Sequence, residues 1–259
     1  MRSLSAKGYP YPAWRKVSER IVLSLLLVLS ILAGASSSFN AIRLYRFRVT
    51  NPPPGVLYTV DGRKMRINCT GSGSPTLVLE AGSGGDGLVW GGVQPVLSKT
   101  TRVCSYDRAG LGWSEPRPGL RDADHIASEL HQLLLKANVT GPIVLMGHFV
   151  AGIYMRDYIL HYPSDVAGVV FVDSSAPASA ARHSSYNLPL MMTKISRPIF
   201  ILGIPRLVGI CSHPKPGFDA KTGILQREDL CHTEYGPVIS ELEGHDRSDQ
   251  QIAQTGSYG

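Results

Sequence analysis

Hydrophobic residues cluster in short runs through the middle of the chain, a pattern that is typical of β-strands. The first two runs, at 56–60 and 65–69, flank Asp61-Gly62, which is a strong hairpin signal. Four later runs are almost wholly apolar, as expected of strands buried on both faces of a sheet. They read TLVLEA (76–81), TRVCSY (101–106), PIVLM (142–146) and GVVFVD (168–173). The pattern therefore predicts six strands.

Two stretches between the later strands have the spacing of amphipathic helices. Residues 122–138 place four apolar side chains on one face, with Asp122 or Asp124 as the N-cap. These side chains are Ile126, Leu130, Leu133 and Leu134. Residues 152–163 predict a second helix, which Pro163 ends. A hairpin followed by strands that alternate with helices predicts an α/β fold with a mostly parallel sheet.

The regular pattern ends after Asp173. Residues 176–259 contain short apolar clusters that Pro and Gly interrupt, and one helical stretch lies near 237–244. We therefore expect a core at 56–175 and a helical cap segment at 176–259.

The longest apolar run is IVLSLLLVLSILAGA at 21–35, and no charged residue occurs from 21 to 42. This length is close to the ~20 residues that span a bilayer. We expect a basic tail at 1–20, a transmembrane anchor at 21–42 and a Pro-rich linker at 43–55. A cleaved signal peptide is the alternative, since Ala33-Gly34-Ala35 has the form of a cleavage site.

Positive charge is concentrated around this apolar run. Five Lys/Arg precede the run and three follow it, which favours a cytoplasmic N-terminus and an extracytoplasmic domain. The net charge of +6 arises from residues 1–48, with eight Lys/Arg against one acidic residue. The remainder has 18 basic against 19 acidic residues, so no basic nucleic-acid-binding face is predicted.

The four cysteines are Cys69, Cys104, Cys211 and Cys231, and none forms a C-x-x-C pair. No metal site and no cofactor are therefore expected. Outside the cytoplasm disulfides are permitted, and four cysteines allow three pairings. Buried free thiols are the alternative.

Three glycine-containing stretches follow predicted strands: EAGSGGDG (80–87), YDRAGLGWS (106–114) and LMGHFVAG (145–152). Glycines in the first allow backbone N–H groups to turn inward and form one side of an anion cradle. The spacing G-x-G-x-x-G of a dinucleotide site is absent. With CTGSGSPTLVLEAG and VFVDSS, these motifs make the chain from Pro52 onward resemble the α/β-hydrolase family, and more closely a bacterial membrane-anchored branch of it.

The resemblance implies definite roles for the site. In the family a serine in the strand-to-helix turn attacks an acyl carbon, and two backbone N–H groups bind the oxyanion, here those of Ser83 and Val150. Phe149 stands at the nucleophile position and has no group that could be activated, and Ala151 replaces the last glycine of the motif. The family's acid and histidine follow strands that we expect to be missing after residue 259.

The resemblance also implies strand neighbours. The second strand pairs with the fourth, so Cys69 and Cys104 should lie close together. The sixth strand would lack its seventh partner, and an exposed apolar edge of this kind favours self-association.

Other polar residues near the motifs are expected to have structural rather than catalytic roles. Ser174 and Ser175 are expected to be polar loop residues, and His148 to pack beside the turn. EGHDR (243–247) is expected to be a solvated loop, and Asp107 and Arg108 to brace the loops around the pocket.

The reaction implied by the family is hydrolysis of an ester or amide through an acyl-serine. Since the nucleophile, acid and histidine are all expected to be absent, we predict a catalytically inactive chain. The alternatives are a non-catalytic module that binds a small apolar acyl or lipid-like ligand, and an active hydrolase with a different nucleophile or an error in the sequence.

Overall fold

The computed structural model describes residues 13–175, 187–232 and 235–253. A six-stranded sheet in the order β1-β2-β4-β3-β5-β6 forms the core of the domain. The strands are β1 (Val56–Val60), β2 (Arg63–Thr70), β3 (Thr76–Glu80), β4 (Val103–Tyr106), β5 (Ile143–His148) and β6 (Val166–Val172). All six predicted strands are present, with shifts only at their ends.

The sheet begins with an antiparallel hairpin and continues as a mostly parallel sheet. Strand β2 pairs antiparallel with β1 and β4, whereas the pairs β3–β4, β3–β5 and β5–β6 are parallel. The hairpin turn holds Asp61 at φ 47° and Gly62 at φ 76°, the left-handed conformations of a two-residue type I′ turn. The α/β fold predicted from the sequence is confirmed.

Helices surround the sheet and follow it along the chain. They are α1 (Ala13–Thr50), α2 (Gln94–Leu97), α3 (Ala123–Lys136), α4 (Ala151–His161), α5 (Asn187–Ile201), α6 (Ile204–Leu207), α7 (Ala220–His232) and α8 (Gly236–Ala253). Asp122 caps α3 by accepting the N–H of His125. The linker expected at 43–55 is shorter, because residues 43–50 belong to α1.

The two faces of the sheet bury different sets of side chains. On one face Val78, Cys104 and Leu145 join a core with the apolar sides of α3 and α4. On the other face Leu79 and Val103 pack with Trp90, which lies in a 3₁₀ turn at 87–90. The alternation of side chains along each strand directs neighbouring residues into these two cores.

The cysteines form two disulfides rather than free thiols. Cys69 of β2 lies opposite Cys104 of β4, with Cα atoms 4.0 Å apart, and the two are bonded. This proximity was expected from the family's strand order. Cys211 and Cys231 form a second disulfide within the C-terminal segment.

Strand β6 lies at the edge of the sheet. Among the described residues it pairs only with β5, and Val170 and Phe171 are each more than two-fifths exposed. The guanidinium carbon of Arg156 lies 4.3 Å from the centre of the Phe171 ring, so this face is partly covered by α4.

The described part of the C-terminal segment is helical, and one expectation for it was wrong. Residues 243–247 lie inside α8 rather than in a solvated loop, and His245 is only 3% exposed. Residues 254–259 lie outside the described residues.

Helix α1 is long, apolar and exposed. The second half of α1 contacts the C-terminal segment. By length and composition α1 is the one described helix able to cross a membrane. Ser36 Oγ donates to the carbonyl of Leu202 at 2.5 Å, and Asn40 Nδ2 donates to that of Phe200 at 3.1 Å.

Candidate active site

The turn between β5 and α4 has the backbone shape of a nucleophile elbow. Phe149 follows the last residue of β5 and has φ 56°, a left-handed conformation that is a clear outlier for a bulky residue. The turn can approach the helix closely because Gly147 has no side chain. A Cβ at Gly147 would lie 2.7 Å from Ala151 Cβ and 2.8 Å from Met155 Sδ. Ala151 is itself fully buried in this contact.

Two serines hold the elbow from the end of β6. Ser174 Oγ donates to the carbonyl of Gly147 at 2.6 Å. The N–H of Ser175 donates to the carbonyl of Phe149 at 2.8 Å, and the carbonyl of Ser175 accepts from Arg156. Both serines therefore support the turn, and neither lines the cavity beside it.

A cavity of about 530 Å³ opens beside the elbow. Its apolar wall is formed by Val89, Trp90, Phe149, Val172 and Phe218. The side chain of Phe149 is 43% exposed and faces this space, where the family's serine would present its hydroxyl. A phenyl ring offers no electron pair for attack on an acyl carbon and no proton to transfer.

The predicted oxyanion residues lie on the two sides of this turn. Ser83 belongs to the glycine-rich loop after β3 and lines the cavity. Val150 directly precedes α4, so its N–H lies at the positive end of that helix, and its side chain is buried. The loop passes close to the elbow, since a Cβ at Gly82 would lie 3.4 Å from Phe149 Cβ.

Arg108 holds the glycine-rich loop in place. Its Nη1 donates to the carbonyl of Ala81 at 2.6 Å, and its Nη2 donates to that of Gly82 at 2.8 Å. The guanidinium also forms ion pairs with Glu80 at 2.6 Å and Glu241 of α8 at 2.7 Å, all with buried side chains.

The surroundings of Glu80 and Arg108 shift the pKa values of these two groups. Burial raises the pKa of Glu80, and Arg108 opposes this shift without cancelling it. Burial alone would lower the pKa of Arg108, but the carboxylates of Glu241 and Glu80 raise it well above its usual value. Arg108 therefore stays protonated beneath the loop, with a carboxylate on each side of it.

Asp107 braces the second glycine-containing turn. It accepts from Arg66 Nη1 at 2.5 Å and from the N–H groups of Gly87 at 2.8 Å and Trp113 at 3.0 Å. Gly112 has φ 52°, and a Cβ there would lie 2.4 Å from Asp107 Oδ2. These contacts confirm the bracing role predicted for Asp107 and Arg108.

The histidines singled out from the sequence lie apart. His148 lines the cavity, and its ring is tilted against that of Phe149 at 6.3 Å between centres. His245 is buried in α8, with Nε2 3.8 Å from Asp249 Oδ2, and is not a lining residue of the cavity.

Sequence reasoning missed the contribution of the C-terminal segment to the cavity. Lys215, Phe218 and Gln226 line it. Lys215 Nζ lies 3.1 Å from Gln226 Oε1 and 5.5 Å from the centre of the Phe218 ring, and Gln226 Nε2 donates to Asp86. No periodicity or motif marks these residues, because only the path of the chain brings them to the cavity.

A family model for the alpha/beta hydrolase fold matches residues 75–212, which include the elbow and both glycine-containing turns. This chain belongs to the alpha/beta hydrolase fold family. The match covers more than half of the chain, and the strand order and the elbow backbone described above agree with it.

Two relatives of this alpha/beta hydrolase chain match it over only part of their own length. The uncharacterized protein YbdG of Bacillus subtilis is 27% identical over 164 residues, covering 62% of this chain and 50% of YbdG. A protein of Hormonema carpetanum named "Probable transporter efuK" is 33% identical over 143 residues, covering 52% of this chain and 20% of the relative. The chain therefore spans half or less of the length of these relatives.

Solved structures show the same alpha/beta hydrolase fold. A thermophilic esterase from Thermogutta terrifontis superimposes with a TM-score of 0.55 at 21% identity, covering 73% of this chain and 69% of the esterase. At this identity the likeness establishes the fold alone.

Proposed function

We propose that this chain is a membrane-anchored member of the alpha/beta hydrolase family that does not hydrolyse esters or amides at its elbow. The observation that carries the proposal is the side chain of Phe149, which faces the cavity from a turn that keeps its left-handed φ of 56°. The family's acyl-serine chemistry needs a nucleophile at this position, and no environment can give phenylalanine that role.

The expected loss of rate is large. Removing a residue of a catalytic triad typically leaves only ~10³–10⁴-fold catalysis over water, which comes from the oxyanion hole and binding. Ser83 and Val150 are the proposed oxyanion residues. Without a nucleophile, N–H groups at these positions can bind a carbonyl oxygen but cannot start an acyl transfer.

Catalysis is tested with the full chain in detergent micelles, using p-nitrophenyl butyrate and a fluorophosphonate probe. We expect no release of p-nitrophenol above a heat-inactivated sample and no covalent labelling. Labelling at any serine, followed by loss of that label on substitution of the serine, would establish a different nucleophile and overturn the proposal.

A second candidate function, binding of a small apolar acyl ligand, is favoured by the cavity itself. Its volume of about 530 Å³ lies within the ~300–1,000 Å³ that is usual for ligand pockets. The wall is mostly apolar, while Lys215 brings a positive charge to the same space. A medium-chain carboxylate such as octanoate matches both properties.

Binding is tested by isothermal titration calorimetry with octanoate. Val172→Trp fills the cavity wall and should abolish binding, whereas Val96→Trp enlarges an exposed residue of α2 and should leave it unchanged. Equal affinity in both variants would place octanoate elsewhere on the protein.

Anchoring by α1 is supported by its long, exposed apolar surface and by the positive charge before the apolar run. We propose a single pass with the N-terminus in the cytoplasm. The expressed protein should remain in the membrane fraction after carbonate extraction. A soluble product that begins at Ser36 would show instead that residues 1–35 are a cleaved signal peptide.

A further inference from the structure

A histidine and two aspartates meet where the first turn of α3 lies against the last turn of α4. Asp124 comes from α3, while Asp157 and His161 are four residues apart on one face of α4. One potential ligand atom from each residue lies within 4.8 Å of the other two. His161 Nε2 is 3.8 Å from Asp124 Oδ1, and His161 Nδ1 is 3.4 Å from Asp157 Oδ2.

The carboxylate of Asp157 is fully buried beside the two partly exposed side chains. Its side chain is 0% exposed, and among the described residues neither of its oxygens meets hydrogen-bond geometry, the nearest charged group being His161 Nδ1 at 3.4 Å. A buried carboxylate without hydrogen bonds is costly, and such groups are normally paired or bind a metal ion. The partly exposed His161 and Asp124 leave the cluster open to ions from solvent.

Surrounding groups orient the other two side chains. Gln251 of α8 donates from Nε2 to Asp124 Oδ2 at 2.5 Å, which leaves Oδ1 on the side of His161. His161 Nδ1 lies 3.0 Å from the carbonyl of Asp157. A hydrogen bond from Nδ1–H to a backbone carbonyl is a common support for a histidine that binds metal through Nε2.

The local charge also favours a cation. The carboxylate of Asp124 places further negative charge beside Asp157. Asp122 adds a third carboxylate nearby, but it is already paired with Arg247 at 2.9 Å. The carbonyl end of α4 carries a partial negative charge, which further favours a cation at His161.

We propose that Asp124, Asp157 and His161 form a binding site for a divalent transition-metal ion, with Zn²⁺ as the best match. One imidazole nitrogen and two carboxylate oxygens are ligands that Zn²⁺ accepts, with solvent as a fourth ligand. Zinc bonds of ~2.0–2.2 Å require ligand atoms about 3.4 Å apart, so the three ligand atoms, which lie within 4.8 Å of one another, would have to approach by about 1 Å. The bound ion would join α3 to α4 and, through Gln251, to α8.

The site is independent of the cavity and of the proposed function, because none of its three residues lines that space. The full chain is freed of metal with EDTA in detergent, dialysed and titrated with Zn²⁺ by calorimetry. We expect one saturable site in the parent. Asp124→Asn and His161→Gln should each weaken binding by more than about tenfold, since even changes outside the ligand set cost that much.

The matched control is His213→Gln, which removes an exposed histidine far along the chain and should leave the affinity unchanged. A second readout is the thermal midpoint, which Zn²⁺ should raise in the parent and in His213→Gln but not in the two site variants. Circular dichroism of the metal-free proteins shows whether each variant is folded. Absence of a saturable site, or equal affinity in the parent and both site variants, would overturn the proposal.

Discussion

The guanidinium of Arg108 forms a two-point ion pair with the carboxylate of Glu241, with distances of 2.7 Å from Nε to Oε1 and 3.0 Å from Nη2 to Oε2. Arg108 follows β4 and Glu241 lies in α8, so this pair attaches the C-terminal segment to the core beneath the glycine-rich loop. Removing the Glu241 charge leaves the buried Arg108 with Glu80 as its remaining carboxylate partner, and breaking a buried pair in this way is costly.

We therefore predict that Glu241→Gln lowers the free energy of unfolding by about 3 kcal/mol. The control is Glu243→Gln in the same helix, which breaks the half-exposed pair with Lys194 and should cost less than about 1 kcal/mol. Urea-induced unfolding followed by circular dichroism measures both. Equal costs would mean that the buried pair contributes no more than a surface pair.

Phe149→Ser alone should not create an esterase. A serine at the elbow needs a general base that an acid orients, and the one histidine among the described lining residues is His148, directly before the turn. No carboxylate in the described part of the chain forms an ion pair or hydrogen bond with His148. Release of p-nitrophenol should match that of Phe149→Ala, which serves as the control. A clear excess in the serine variant would reveal a usable base.

The exposed edge of β6 predicts self-association. Val170 is 43% exposed on a strand with one described neighbour, and a charge at an edge strand opposes pairing with another chain. Val170→Lys should lower the apparent mass in detergent measured by light scattering. Val56→Lys adds the same charge at the opposite edge and should have no effect. A monomeric parent would show that the β6 edge does not pair.

The raised pKa of Asp157 predicts that the stability of the metal-free protein depends on pH. This pKa of about 7 lies above the ~3.9 of an unfolded chain, so between these values the folded state holds a proton that the unfolded state has released. Stability should therefore fall as the pH rises from about 4 to about 7.

Asp157→Asn removes this contribution, so its urea midpoint in EDTA should fall less between pH 5 and pH 8 than that of the parent. The groups that face Asp157 are Asp122 and Asp124 of α3 and His161 of α4, and they remain in place. Asp246→Asn, an exposed substitution in α8, should keep the parent's slope. The same slope in Asp157→Asn would exclude Asp157 as its source.

The strands and the elbow could be predicted because local sequence carries their signals. Apolar runs mark buried strands, Asp61-Gly62 marks the hairpin, and Gly147 marks the close contact between β5 and α4. The pairing of Cys69 with Cys104 followed from strand order, which the family supplied and the residues alone did not.

The C-terminal segment could not be predicted to the same depth. His245 lies in the polar run EGHDR, and its burial results from packing of α8 on α3 and α4, which the run itself does not encode. The contribution of Lys215 to the cavity and the disulfide between Cys211 and Cys231 likewise depend on long-range placement.

The elbow is held through its own carbonyl groups. Ser174 donates to the carbonyl of Gly147 and Ser175 to that of Phe149, so both bonds involve the main chain of the turn rather than the side chain at position 149. A left-handed φ at a bulky residue costs roughly 1–3 kcal/mol, and the surrounding contacts hold it there. Under the proposal that the chain is inactive, the turn has the shape of a reaction centre without its reactive atom. The shape of the turn is therefore no measure of turnover.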